Sequence, residues 1–137
     1  MNDTERRIRE RLLATRSEPL AATIEAADAV AASWDGPATR REAVVEPLSA
    51  LLEHAGLREG YPALLATGAE VLGEPLPAPP VAAPPYVVIT GTGPVLRASL
   101  PSGRLVLRLA VFAIERDPKR YVRCGERPEE ILEVELR

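Results

Sequence analysis

Along residues 3–72 apolar side chains return every three to four positions, and along 86–136 they return at every second position. The first spacing buries one stripe of a helix and the second buries one face of a strand. Residues 3–16 predict a first helix. Ile8 and Leu12 stand four apart with Leu13 beside them, Asp3 or Thr4 offers a cap, and Glu5 and Arg9 sit at a supporting spacing. Ser17 predicts the cap of a second helix, with Glu18 and Pro19 in its first turn and a stripe of Leu20, Ile24, Ala27, Ala31 and Trp34. Asp35-Gly36-Pro37 stops it, because glycine accepts the left-handed cap and proline cannot continue a helix. Thr39 to Glu42 has capping-box spacing and opens a third helix carrying Val44, Val45, Leu48, Leu51, Leu52 and Ala55. Pro47 inside that pattern predicts a kink or a split. A shorter fourth helix is expected from near Pro62 to Gly73, carrying Leu64, Leu65, Val71 and Leu72.

Residues 73–85, GEPLPAPPVAAPP, hold six prolines in thirteen positions and predict a stiff, extended connector. After it the period changes. Tyr86–Thr90 is β-branched, Gly91-Thr92-Gly93-Pro94 is a turn, and Val95–Leu100 alternates, with Leu96, Ala98 and Leu100 on one face and Arg97 and Ser99 on the other. Leu100-Pro101-Ser102-Gly103 has the proline and glycine placement of a type I turn. Arg104–Glu115 predicts one long strand whose second face changes from Arg104, Val106 and Arg108 to Ala110, Phe112 and Ile114. Asp117-Pro118 begins a turn, 119–123 is a short strand, and 131–136 is a last strand, although Pro128-Glu129-Glu130 equally suits a helix start. Helices followed by strands predict an α+β fold. Three or four helices in residues 1–72 are expected to pack on an antiparallel meander of three to five strands in 86–137, as a single domain over residues 1–137.

The chain has 137 residues, 46% hydrophobic and 27% charged, a composition that can bury a core without a disulfide or metal staple. One cysteine, no apolar run of transmembrane length and an N-terminus without a secretory core point to a cytoplasmic protein with no membrane partner. The net charge of −3 opposes bulk attraction to nucleic acid. Within it the basic residues are lopsided, because Lys119 is the only lysine beside sixteen arginines.

No candidate chemistry assembles from these residues. His54, the only histidine, lacks the partners that a metal or a triad requires, and a capping or surface position is expected. Cys124 has arginines nearby but no spare base. Gly91-Thr92-Gly93 is followed by Pro94 and a strand rather than by a helix, so it is a hairpin turn and not a phosphate loop. No catalytic, cofactor-binding or metal-ligating residue is assigned and no cofactor is implied. Two arginine groups remain: Arg6, Arg7, Arg9, Arg11 and Arg16 in the first helix, and Arg116, Lys119, Arg120, Arg123 and Arg127 with Tyr121 near the last turn. The second group is the candidate for contact with nucleic-acid phosphates, although interleaved glutamates favour an ion-paired face.

The stretch PPYVVITGTGPVLRASLPSGRLVLRLAVFAIERDPKRYVR, with the upstream SWDGP and PAPPVAAPPY, resembles a group of small haloarchaeal proteins of unknown function over about residues 30–137. The resemblance implies a cytoplasmic protein of a salt-adapted archaeon and carries over no catalytic residue. The favoured reading is therefore a non-enzymatic protein-interaction or regulatory module that meets a partner protein or a second copy of itself. Nucleic-acid binding through the arginine-rich turn is one alternative. A small-ligand binder or enzyme with a cleft between helices and sheet is the other.

Overall fold

A computed structural model describes residues 1–137. Helix α1 (Asp3–Thr15) is capped one residue earlier than the spacing suggests. Asn2 accepts the Glu5 amide at 2.7 Å, and the Glu5 carboxylate accepts the Asn2 amide at 2.9 Å. Helix α2 (Ser17–Ala32) starts directly after it. Ser17 is its first residue rather than its cap, and Arg16 holds the cap position without a side-chain bond. Trp34 falls in the turn beyond α2, with its ring centroid 5.5 Å from that of Phe112.

Helix α3 (Glu42–His54) begins without the Thr39 box. Ala38 is drawn into a β-bridge with Tyr121, whose amide donates to the Ala38 carbonyl at 2.8 Å, so the chain turns helical only from Arg41. The helix runs through Pro47 without a break. A single turn, α4 (Leu57–Gly60), precedes α5 (Pro62–Leu72), whose limits match the expected fourth helix.

Strands β1 (Val87–Thr90), β2 (Gly93–Leu100), β3 (Gly103–Leu109) and β6 (Leu132–Leu136) form one antiparallel sheet in the order β1-β2-β3-β6. The expected long strand 104–115 is two strands in two sheets. At Ala110–Val111 the chain leaves the main sheet, because the Thr92 carbonyl takes the amides of both Val111 and Phe112. Strand β4 (Phe112–Glu115) then pairs with β5 (Arg120–Arg123) as a separate hairpin. A short turn of helix, α6 (Pro128–Ile131), returns the chain to β6, so both readings offered for residues 128–136 hold in succession.

The register puts Val87, Leu96, Leu107 and Val134 in one row of the sheet and Ala98, Leu105 and Leu136 in the next. This face meets α1, α3 and α5, and a cluster of 28 buried residues draws on both halves of the chain. Burying a side chain of Leu or Ile size contributes about 2 kcal/mol, so this row pattern decides which face turns inward. At the β6 edge the Glu5 carboxylate accepts the Leu136 amide at 2.8 Å, and Arg9 Nε donates to the Leu132 carbonyl at 3.4 Å. That edge is thereby closed to strand addition. No helix is long and apolar enough to cross a membrane.

The proline-rich connector is not a straight spacer. It bends at 77–78 and again at 82–83 before a turn into β1. Its ends are pinned, since Glu74 accepts the Ser102 amide at 3.0 Å and Arg58 Nε donates to the Ala82 carbonyl at 3.1 Å.

Candidate functional site

The arginine-rich turn is mostly spent on its own structure. Arg120 pairs with Glu115 at 2.7 Å, and Arg127 with Glu129 at 3.3 Å and Glu130 at 3.7 Å. Arg123, whose side chain is 15% exposed, pairs with Asp28 at 2.9 Å and donates to the carbonyls of Val111, Cys124 and Gly125. Tyr121 is buried, with its ring against Gly91, so it offers no face for a base to stack on. Only Arg116 and Lys119 stand exposed without a carboxylate, and Lys119 Nζ lies 5.6 Å from the Tyr121 ring centre. In the first helix Arg6 pairs with Asp3, Arg7 donates to the Val71 carbonyl, Arg9 to the Leu132 and Glu129 carbonyls, and Arg16 to the Thr67 hydroxyl.

His54 is exposed in the last turn of α3. The Cys124 thiol faces the Ala110 carbonyl at 3.7 Å, and burial pushes its pKa up despite the opposing charge of Arg123, which keeps the sulfur a thiol. Gly91 and Thr92 form the hairpin turn, closed by Thr90 Oγ1 donating to the Gly93 carbonyl at 2.7 Å, and β2 starts at Gly93, two residues before the expected Val95.

A different site lies on the other face of the sheet. Strand alternation puts Arg97 and Ser99 of β2 outward, and the Pro101-Ser102 turn brings Arg104 of β3 directly opposite Ser99. Tyr86, whose carbonyl accepts the Arg97 amide at 2.8 Å, borders them on the β1 side. Pro77 and Pro85 of the connector wall the resulting cavity of about 190 Å³. Of the sixteen arginines seven hold carboxylates, and Arg97 and Arg104 are not among them.

Arg97 is the unusual one. Its Nε is shut off from solvent and has no hydrogen-bond partner. Buried donors are nearly always paired, and a charged one left unpaired carries a heavy desolvation cost. The nearest carboxylate on that face, Glu135, is two strands away with Val106 between. Hydrogen bonds from Arg137 and Arg108 hold Glu135 below the usual carboxylate range, so it is committed elsewhere.

The helix–sheet interface, by contrast, is lined by the apolar cluster, and the charged cavity lies on the opposite side of the sheet. Among the arginines the sequence reading weighted, none lines this cavity. The signal that finds it is hairpin arithmetic: a two-residue turn after Leu100 pairs Ser99 with Arg104 and leaves Arg97 two positions along on the same face.

An α+β protein with one helix-covered sheet face and one open face bearing an arginine pocket is the class that these features define. The chain belongs to the family described as domain of unknown function DUF7988, whose model matches residues 6–137. No curated protein and no solved structure matches it.

Proposed function

We propose that the chain is a non-enzymatic protein-interaction module that receives an acidic segment of a partner on the outer face of β1-β2-β3-β6. The observation that carries this reading is the cavity on that face, lined by both Arg97 and Arg104 and by no carboxylate. Arg104 and Ser99 stand beside it, and Val88, Val95 and Tyr86 give the same face half-exposed apolar surface. An arginine beside aromatic and aliphatic surface is the composition of a binding hot spot. The nucleic-acid alternative has less to support it, because ion pairs take up Arg120, Arg123 and Arg127 and the aromatic ring is inside.

The test is fluorescence anisotropy of the full chain with a labelled hexaglutamate peptide and, separately, a labelled single-stranded oligonucleotide. Peptide binding that weakens in Arg97→Glu and persists in Arg116→Glu supports the reading. Oligonucleotide binding that fails in Arg116→Glu but not in Arg97→Glu overturns it in favour of the alternative.

A further inference from the structure

We propose that the Arg97–Ser99–Arg104 pocket is built for one phosphomonoester group; this rests on the reading that the outer sheet face is the binding surface. Three properties of the pocket select the ligand.

The first is charge. Two guanidiniums border the cavity and no carboxylate lines it, so the site holds two uncompensated positive charges. A phosphomonoester carries about −1.5 to −2 at neutral pH, whereas a single carboxylate would leave half of that charge unanswered. The comparable cavity between α1 and α5 shows the contrast: Arg7 and Arg11 there are balanced in the same wall by Glu10 and Glu70.

The second is donor geometry. Each guanidinium presents a planar fork of N–H groups suited to phosphate oxygens, and Ser99, opposite Arg104 and two positions from Arg97, brings a hydroxyl to the same cavity. The Arg97 Nε is shut off from solvent, so a ligand in the cavity meets the terminal N–H groups of the two forks. An oxyanion is an acceptor with enough lone pairs to satisfy both forks at once.

The third is size. The cavity of about 190 Å³ is smaller than the roughly 300–1,000 Å³ of pockets that enclose whole small molecules. It takes a single headgroup, and the rest of any larger ligand lies outside it. Pro77 and Pro85 wall the cavity with rings that have little conformational freedom to lose on binding. The phosphate can be free, or it can be the side chain of a phosphorylated partner whose flanking residues rest on Val88 and Val95.

Isothermal titration calorimetry of the full chain separates these sources, using inorganic phosphate, a phosphoserine pentapeptide and the same peptide unphosphorylated. The phosphopeptide is expected to bind and inorganic phosphate to compete with it. Arg104→Gln, at an exposed position that leaves the fold untouched, should weaken binding about tenfold or more, the effect of one charge-assisted contact. Arg97→Gln should weaken it at least as much, and Arg116→Gln should not change it. Equal binding of inorganic phosphate and phosphopeptide keeps the pocket but identifies a free phosphate as its ligand, which removes the protein-interaction reading. Binding of hexaglutamate that phosphate neither competes with nor mimics overturns the phosphate site while the interaction reading stands. Absence of binding by every probe overturns both.

Discussion

Trp34 donates its indole N–H to the Ala43 carbonyl at 2.9 Å, and that carbonyl is the one Pro47 leaves without a helical partner. A proline four residues on has no amide hydrogen to return. The acceptor inside α3 is therefore satisfied from the turn after α2, and the Trp34 ring continues onto Phe112 of β4. One side chain ties two helices and the second sheet together.

Trp34→Phe keeps an aromatic ring and removes the donor, and it should cost about 1–2 kcal/mol, because an acceptor is left unpaired. In a Pro47→Ala background the restored amide supplies the bond from within the helix, and the same change should cost about 0.5 kcal/mol or less. Urea unfolding followed by circular dichroism measures both. Equal costs in the two backgrounds would show that ring packing and not the hydrogen bond is what the tryptophan contributes.

Tyr61 is fully buried, and its hydroxyl lies 2.6 Å from Thr23 Oγ1. Thr23 donates to the Pro19 carbonyl at 2.8 Å, so the tyrosine donates to the threonine. Burial raises the Tyr61 pKa well above its ordinary value of 10.0, against a smaller lowering by the Thr23 hydrogen bond. A folded-state pKa above the unfolded one stabilises the protein fully below the unfolded value and loses that stabilisation as pH rises past it. Urea midpoints should therefore fall above about pH 10, and Tyr61→Phe should fall less steeply over the same range. A Tyr61→Phe protein with an unchanged alkaline slope would place the sensitivity in another group.

Arg123 links α2 to the chain around the second sheet through Asp28 and three carbonyls. Arg123→Ala should cost about 2–3 kcal/mol by leaving those acceptors without their donor. Arg123→Lys should recover little of it, because one ammonium cannot span acceptors that a planar fork reaches together. Asp28→Asn should cost about 1 kcal/mol or less, since Asp28 is 63% exposed and a solvent-facing partner contributes little. Chemical denaturation of the three variants gives the ranking. A cost for Asp28→Asn equal to that of Arg123→Ala would put the weight on the ion pair instead of the carbonyls.

Gly93 holds φ at 134°, and a Cβ there would meet the Leu109 carbonyl. Gly93→Ala is expected to cost about 3 kcal/mol or more, combining left-handed strain with a backbone collision. Gly36→Ala, at φ 92° in open space, carries strain alone and should cost about 1–2 kcal/mol. Thermal unfolding of the two variants checks the difference. Similar melting temperatures would mean that the β2–β3 contact yields easily.

The order of helices before strands, the turn at Pro101-Ser102 and the shared face of Leu96, Ala98 and Leu100 were all legible in the sequence. Periodicity and turn chemistry are local, and they act through neighbours a few residues apart. Helix starts were less legible. Thr39 failed as a cap because Ala38 is held by Tyr121, 83 positions away by residue number, and no local signal reports such a bond.

The same limit explains the site. Alternation alone placed Arg97, Ser99 and Arg104 on the face opposite the leucines, but it could not say which face of the sheet the helices would cover. That was decided when α1, α3 and α5 packed on the leucine rows and the connector folded back to set Pro77 and Pro85 beside Arg97. Charge counted along the chain pointed to residues 116–127, where arginines are dense. Tertiary structure brought Asp28 to Arg123 and kept every carboxylate from Arg97, because ion pairing depends on distances of a few ångströms in space. The sequence by itself determined most of the elements and which residues share a face. Only the packing of one half on the other decided which arginines are neutralised and which two share a pocket without a carboxylate.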